Sequence, residues 1–340
     1  MTTSFRVMSW NVENLYLPGS FVSPTSRVAV SEEFFQAKLS FLANFLAQQQ
    51  PDVVALQEIG SHDALTALQE RLGDRYPQQA ISMAPDSRGI RVAFLARLAL
   101  TDVVDVVDFP AGPLAAVPDF NGQVQTQMGR GALQVVVTVA GMRIRLINVH
   151  LKSKLLTFLR PGGGTAFAPQ NEDERAVGAG IAVMRRAAEA VTVRSFVNAR
   201  LVAEPETQTI VLGDLNDTPQ AATTQLLLGG TPDRDVQKAD SGDRVRLYNL
   251  MDALPLRGSA TRAFLAPGER FTRIHEQQGE LIDHILVSKG LLLHGNEFAV
   301  KEVRSFVELI QGQSVTGNPN ERAGASAPDH APVLAHFELR

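Results

Sequence analysis

The sequence predicts an α/β domain built on sizeable mixed or antiparallel sheets, and three observations carry that prediction. Short runs rich in Val, Ile and Leu, each of strand length, recur from residue 5 to residue 337. Sustained helical periodicity shows in at least two stretches, but helices do not follow every strand, which argues against a doubly wound sheet. No repeat is visible and no linker divides the 340 residues, so a single domain over 1–340 is expected.

The strand runs are 5–10, 53–56, 92–95, 133–139, 144–149, 210–212, 281–287 and 333–337, several of them bounded by Gly, Pro, Asn or Asp. The first helix covers 31–50, with Ser31 as N-cap, Phe35, Leu39, Leu42 and Leu46 on one face, and Pro51 as the stop. The second runs from Asn171 to about Ala203. It opens on Glu172, Asp173 and Glu174, which suit the positive end of a helix, and sets Val177, Ile181, Met184, Ala188 and Val191 on one face. Segments 160–169, 229–235 and 312–328 are rich in Gly and Pro and read as loops.

Composition removes several classes. A hydrophobic fraction of 44% with 20% charged residues excludes bulk disorder. Cysteine is absent, which excludes disulfides, thiolate zinc sites and cysteine nucleophiles. No window approaches ~18 uninterrupted apolar residues, so no membrane span is expected. The opening residues lack an export pattern, so the expected compartment is the cytoplasm. Lys and Arg number 32 against 36 Asp and Glu, a net charge of −4. Attraction of an anionic substrate must therefore come from a local site or a metal ion rather than from the overall field.

The chemistry is concentrated where the strands meet polar residues. Six of the strands are expected to finish in acid, amide or His residues: Asn11 and Glu13, Glu58, His150 and Lys152, Asp214 with Asn216 and Asp217, Asp283 and His284, and Asp329 and His330. Each has a bland alternative. Asn11 could close a turn, Glu58 could cap a helix starting near Ser61, and His150 could be a core histidine. Asp214 could form an Asx-turn after Gly213, and the two Asp–His pairs could be strand-terminal polar groups. Together they form an oxygen-rich donor set without Cys, which favours a hard cation, Mg²⁺ or Mn²⁺, over zinc. The His and Lys residues beside it supply proton transfer and anion stabilisation.

In order, SWNVEN (9–14), LQE (56–58), NVHLKSK (148–154), GDLND (213–217), LIDHILVS (281–288) and APDHAPV (327–333) make the chain resemble the endonuclease/exonuclease/phosphatase superfamily. That group includes DNase I, the exonuclease III-like repair nucleases, the neutral sphingomyelinases and the inositol-polyphosphate 5-phosphatases. The resemblance spans residues 9 to 333 and is closest in wording to bacterial nucleases of the group. It implies a four-layer DNase I-like α/β sandwich, with two mixed β-sheets face to face, helices outside, and the site at one edge.

The resemblance also implies roles. Glu58 is the main metal carboxylate, with Asn11 and Asp329 near the same ion and Glu13 as a further acid. Asp214 orients or deprotonates the attacking water, with Asn216 beside it. Asp283 fixes the imidazole of His330 against the scissile phosphate, and His150 takes the other phosphate-facing position. Lys152 and Arg130 bind substrate phosphate. His284 is structural or sits behind the site. The acid that partners the His at position 150 in the family has one counterpart here, Asp86, at uncertain register. The implied function is a metal-dependent phosphoesterase, foremost a nuclease-like phosphodiesterase, with nucleic acid among its candidate substrates. The alternatives are an enzyme for a small-molecule or lipid-headgroup phosphate and a binding protein that has lost catalysis. Aromatics at 6%, and Arg273–Ile274 where bacterial relatives carry an aromatic pair, weaken base stacking. Nothing in the sequence points to a protein partner.

Overall fold

Two six-stranded mixed sheets pack face to face in the computed structural model, which describes residues 4–21, 28–119, 123–156, 158–160, 164–229, 245–252, 264–292, 298–316, 318, 321–322 and 325–339. In chain order the strands are β1 (Ser4–Leu15), β2 (Val53–Ile59), β3 (Gln78–Ile81), β4 (Arg91–Ala96), β5 (Thr101–Asp108) and β6 (Gln127–Val139). They continue with β7 (Met142–His150), β8 (Gln208–Asp214), β9 (Leu247–Asn249), β10 (Asp283–Ser288), β11 (Phe298–Ser305) and β12 (Val333–Leu339). The helices are α1 (Glu32–Gln49), α2 (His62–Leu72), α3 (Glu172–Ala203) and α4 (Ala222–Leu228).

The first sheet has the order β11-β12-β1-β2-β4-β3 and the second β9-β10-β8-β7-β6-β5. Each sheet has one parallel pair, at its centre: β1 with β2, and β7 with β8. Every other ladder is antiparallel.

Period-2 alternation sorts side chains into layers. Between the sheets, Val7, Val53 and Phe94 meet Val135, Leu146, Leu212 and Ile285. On the far face of the first sheet, Met8, Trp10, Val54 and Leu95 pack against Leu39, Leu42 and Leu46 of α1 and Leu65 and Leu68 of α2. On the far face of the second, Ile147, Val149, Val211 and Leu286 pack against Val193 and Val197 of α3 and Leu227 of α4. Helix, sheet, sheet, helix: this is the four-layer α/β sandwich with mixed sheets. No helix among the described residues is long and apolar enough to cross a membrane.

α1 forms as expected, with Ser31 Oγ accepting from Phe34 N at 3.1 Å and the four predicted apolar residues buried. α2 is capped by Ser61, whose hydroxyl accepts from Ala64 N at 3.1 Å. The face of α3 differs from expectation. Val177 and Met184 are exposed, and the buried stripe runs through Gly178, Ala182, Arg186, Glu189, Val193 and Val197. Two polar residues displace the apolar ones because they bond neighbouring backbone. Glu189 accepts from Gly129 N and Lys152 N, and Arg186 donates to Lys152 O. The loop segment 160–169 contains part of a short hairpin, Phe158–Leu159 with Thr165–Ala166. Most of 229–235 lies outside the described residues.

Candidate active site

The site stands where the carboxyl ends of both parallel pairs come together. Asn11 is on β1, Glu58 on β2, His150 ends β7 and Asp214 ends β8. Parallel neighbours direct the same end of both strands to one place, a recurrent location for ligand sites in α/β sheets. The antiparallel neighbours contribute their starts. Asp283 opens β10 and His330 precedes β12, which corrects the expectation that all six polar segments terminate strands. Reversing a strand beside β8 or β1 brings its first residue to the edge where its neighbour ends. Register then sets Asp214 opposite His150 on one side and Asp283 on the other.

Asn11 Nδ2 donates to Asp214 Oδ2 at 3.0 Å and to Glu58 Oε1 at 3.3 Å. Glu58 Oε2 accepts from Asn14 N at 2.9 Å. The backbone here is unusual: Glu13, Asn14, Glu58 and Asn216 all have positive φ, between 51° and 66°. Left-handed non-glycine residues are costly, and their clustering at one edge marks a constrained site. Gly213 has φ of +141°, and a Cβ there would meet Val149 O at 1.9 Å, so the GDLND segment requires glycine for β8 to lie against β7.

Asp214 is buried, and its Oδ1 accepts from Asn216 N at 2.8 Å. Burial, then the neighbouring Asp283, pushes its carboxyl up to about 6. Asn216 Nδ2 donates to Leu151 O at 2.9 Å, holding the two loops together. Asp283 Oδ2 and His330 Nδ1 lie 2.8 Å apart, both buried, and His330 Nε2 is 3.9 Å from Asp214 Oδ2. Burial opposes charging His330, but Asp283, Asp329 and Asp214 outweigh it and raise the imidazolium to about 10. Thr272 Oγ1 accepts from the backbone of Ile282 and Asp283, and Trp10 Nε1 donates to His330 O at 3.0 Å.

His150 Nε2 lies 3.4 Å from Asp214 Oδ2 and 3.9 Å from Glu58 Oε1. Burial, followed by Arg130, His330 and Arg88, holds it well below the usual imidazole range, so it stays neutral. Arg130 Nη1 is 2.9 Å from both of its ring nitrogens, and Nη2 donates to Leu151 O at 3.3 Å. Asp86, the candidate acid partner for His150, instead accepts from Arg88 N and Ile90 N of its own loop.

Asp329 N donates to Glu13 Oε2 at 3.1 Å, and its carboxylate is 3.6 Å from Arg273 Nε. Glu13 takes two bonds from Arg322, at 2.8 and 3.0 Å. Burial and Asp329 raise Glu13 to about 7. The Lys152 ammonium donates to Ser153 O and Leu155 O at 3.0 Å, so its charge is committed to its own loop. His284 is structural, bonded to Asp217 O at 2.9 Å and to Asn249 at 3.0 Å.

The donors suit a hard divalent cation. Asp214 and Asp283 bring carboxylate oxygens within 4.8 Å of each other and of His330, whose charged ring faces anions rather than a metal. Buried Asp283 Oδ1 has no hydrogen-bond partner, and Glu58 and Asn11 add oxygens from the facing sheet. Thr272, Arg322 and the inter-sheet pair Gln57–Asn148 escaped sequence reasoning. A threonine or arginine in a loop carries no signal, but Gln57 and Asn148 stood inside two quoted motifs.

The sequence matches the Endonuclease/Exonuclease/phosphatase family over residues 8–297, and the chain belongs to that family. No curated protein sequence matches it. Among solved structures, the human Nocturnin catalytic domain with bound sulfate is similar at a TM-score of 0.55 and 15% identity, over 99% of this chain and 95% of that one. A humanized D. rerio TDP2 gives 0.52 and 14%, over 98% of both chains. A family protein from Bacteroides thetaiotaomicron gives 0.52 and 14%, over 100% of this chain and 99% of that one. At these identities the likeness establishes the DNase I-like fold alone.

Proposed function

We propose that the chain is a divalent-metal-dependent phosphodiesterase of nuclease type that hydrolyses P–O bonds by in-line attack of water. The observation that carries this reading is the buried Asp283–His330 pair with Asp214 on its far side. Such a set gives one carboxylate to accept a proton and one imidazolium to meet developing phosphoryl charge. Glu58, Asn11 and Asp329 would hold Mg²⁺ or Mn²⁺, with Glu13 behind them. A divalent ion there supplies phosphate neutralisation and a more acidic bound water. Asp214 orients the water and accepts its proton, with Asn216 fixing the loop. His330 donates to a phosphoryl oxygen, held upright by Asp283. Neutral His150, backed by Arg130, donates to a second.

The test is hydrolysis of bis-p-nitrophenyl phosphate with Mg²⁺ or Mn²⁺ and its arrest by EDTA. No metal-dependent activity on this substrate, plasmid DNA, RNA or sugar phosphates would sink the reading. The net charge of −4 favours a second reading, a phosphoesterase for a small molecule or lipid headgroup. Nicking of supercoiled DNA supports the first, and release of phosphate from monoesters alone supports the second.

A further inference from the structure

Behind Arg130, which touches His150, α3 carries cations that the chemistry above does not use. Arg186 is matched, 3.0 Å from Asp217 Oδ2, and Glu189 is taken up by backbone N–H groups. Arg185, the next residue on α3, is different. Its Nε is buried without a hydrogen-bond partner, and among the described residues nothing accepts from its guanidinium. Its Nη2 lies against the backbone of Gly129, 3.0 Å from where a Cβ would stand, so the absence of a side chain at 129 makes its berth. The adjoining residue is Arg130, on the ring of His150. Burial first, then Arg130 and Arg185, push the Lys152 ammonium down to about 7 against the pull of Glu189, so Arg185 stands close enough to act on the loop that follows His150.

A guanidinium without an acceptor, packed against the residue next to the Arg130 that touches His150, has the chemistry to hold a phosphate. We propose that Arg185 binds the neighbouring phosphate of a nucleic-acid strand whose scissile phosphate lies at His150 and His330, so that the preferred substrate carries more than one phosphodiester. The proposal rests on the phosphodiesterase reading and sharpens its substrate class.

The probe is a short fluorescein-labelled single-stranded DNA oligonucleotide, followed by anisotropy in EDTA, beside turnover of bis-p-nitrophenyl phosphate with Mn²⁺. Arg185→Ala should weaken oligonucleotide binding about tenfold and flatten the slope of log Kd against log salt by about one. It should leave the single diester within about twofold. Arg185→Lys, which keeps the charge without the fork, should recover part of the loss. Arg143→Ala, at the opposite end of β7, should leave binding unchanged and so separate a local contact from bulk charge. Unchanged binding in Arg185→Ala, parallel loss on both substrates, or a wild type that does not bind the oligonucleotide overturns the subsite. Binding that depends on Arg185 without turnover of any diester supports the subsite and overturns the phosphodiesterase reading instead.

Discussion

Gln57 donates a 2.7 Å hydrogen bond to the amide oxygen of Asn148, tying one sheet to the other beside Glu58 and two residues from His150. Asn148 Nδ2 completes the tie by donating to Leu56 O at 2.9 Å and Ala93 O at 2.8 Å. Asn148→Ala would leave these buried groups without partners, a loss of about 3 kcal/mol. We expect a thermal midpoint several degrees lower and a larger fall in turnover than in substrate affinity. An unchanged melting curve would contradict a structural role for this pair.

Asp214→Asn and His330→Ala should each lower turnover by several orders of magnitude while leaving the circular dichroism spectrum intact. The two act on one phosphoryl group, so the double variant should lose little beyond the worse single one. Near-normal turnover in either variant is incompatible with the assigned roles.

Divalent metal should stabilise the fold as well as activate it. At about a hundred times its dissociation constant, a ligand of the native state contributes about 2.7 kcal/mol. Melting with Mn²⁺ and with EDTA should therefore differ by several degrees, and Glu58→Gln should abolish the difference. A shift that persists in Glu58→Gln would place the ion elsewhere.

His284 makes a pH prediction that is independent of the ion. It is fully buried, and burial lowers its pKa below the ordinary 6.5. Below pH 6.5 the unfolded chain takes up a proton that the native state refuses, so stability is present above that pH and lost as pH falls. The slope from this group is at most about 1.4 kcal/mol per pH unit. Urea titrations of wild type and His284→Gln at pH 7 and pH 5 should show a shallower acid loss in the variant, whatever its absolute stability. Equal slopes would exclude His284 as a source of acid sensitivity.

The strands legible in the sequence share a position in the fold. All eight apolar runs became strands, and within the two six-stranded sheets the four strands that escaped notice, β3, β5, β9 and β11, are the four sheet edges. An interior strand of a four-layer sandwich is covered on both faces and reads as a continuous apolar run. An edge need not: β5 is Thr-Asp-Val-Val-Asp-Val-Val-Asp and is largely exposed along its first half, as edge strands that discourage pairing tend to be. The site residues were legible for a related reason, since each stands in a motif at the site edge of an interior strand. What could not be read was direction and partnership. Nothing local tells Asp283 to begin its strand rather than end it. Likewise, nothing shows that Lys152 turns into its own loop while Arg185 is left without an acceptor.

β1 is flanked by β2 on one side and β12 on the other, with Ser4 opposite Glu338 and Ser9 opposite Val333. The site therefore has a place in time as well as in space. During synthesis, Asn11, Glu58, His150 and Asp214 leave the ribosome long before Asp329 and His330, yet the proposed chemistry needs both groups. Until β12 docks beside β1, the nascent chain holds an incomplete set of donors and no imidazolium aimed at a phosphate. Activity would then arise in a single step with the closing strand, and a chain that stalls short of it would be inert toward any phosphoester around it.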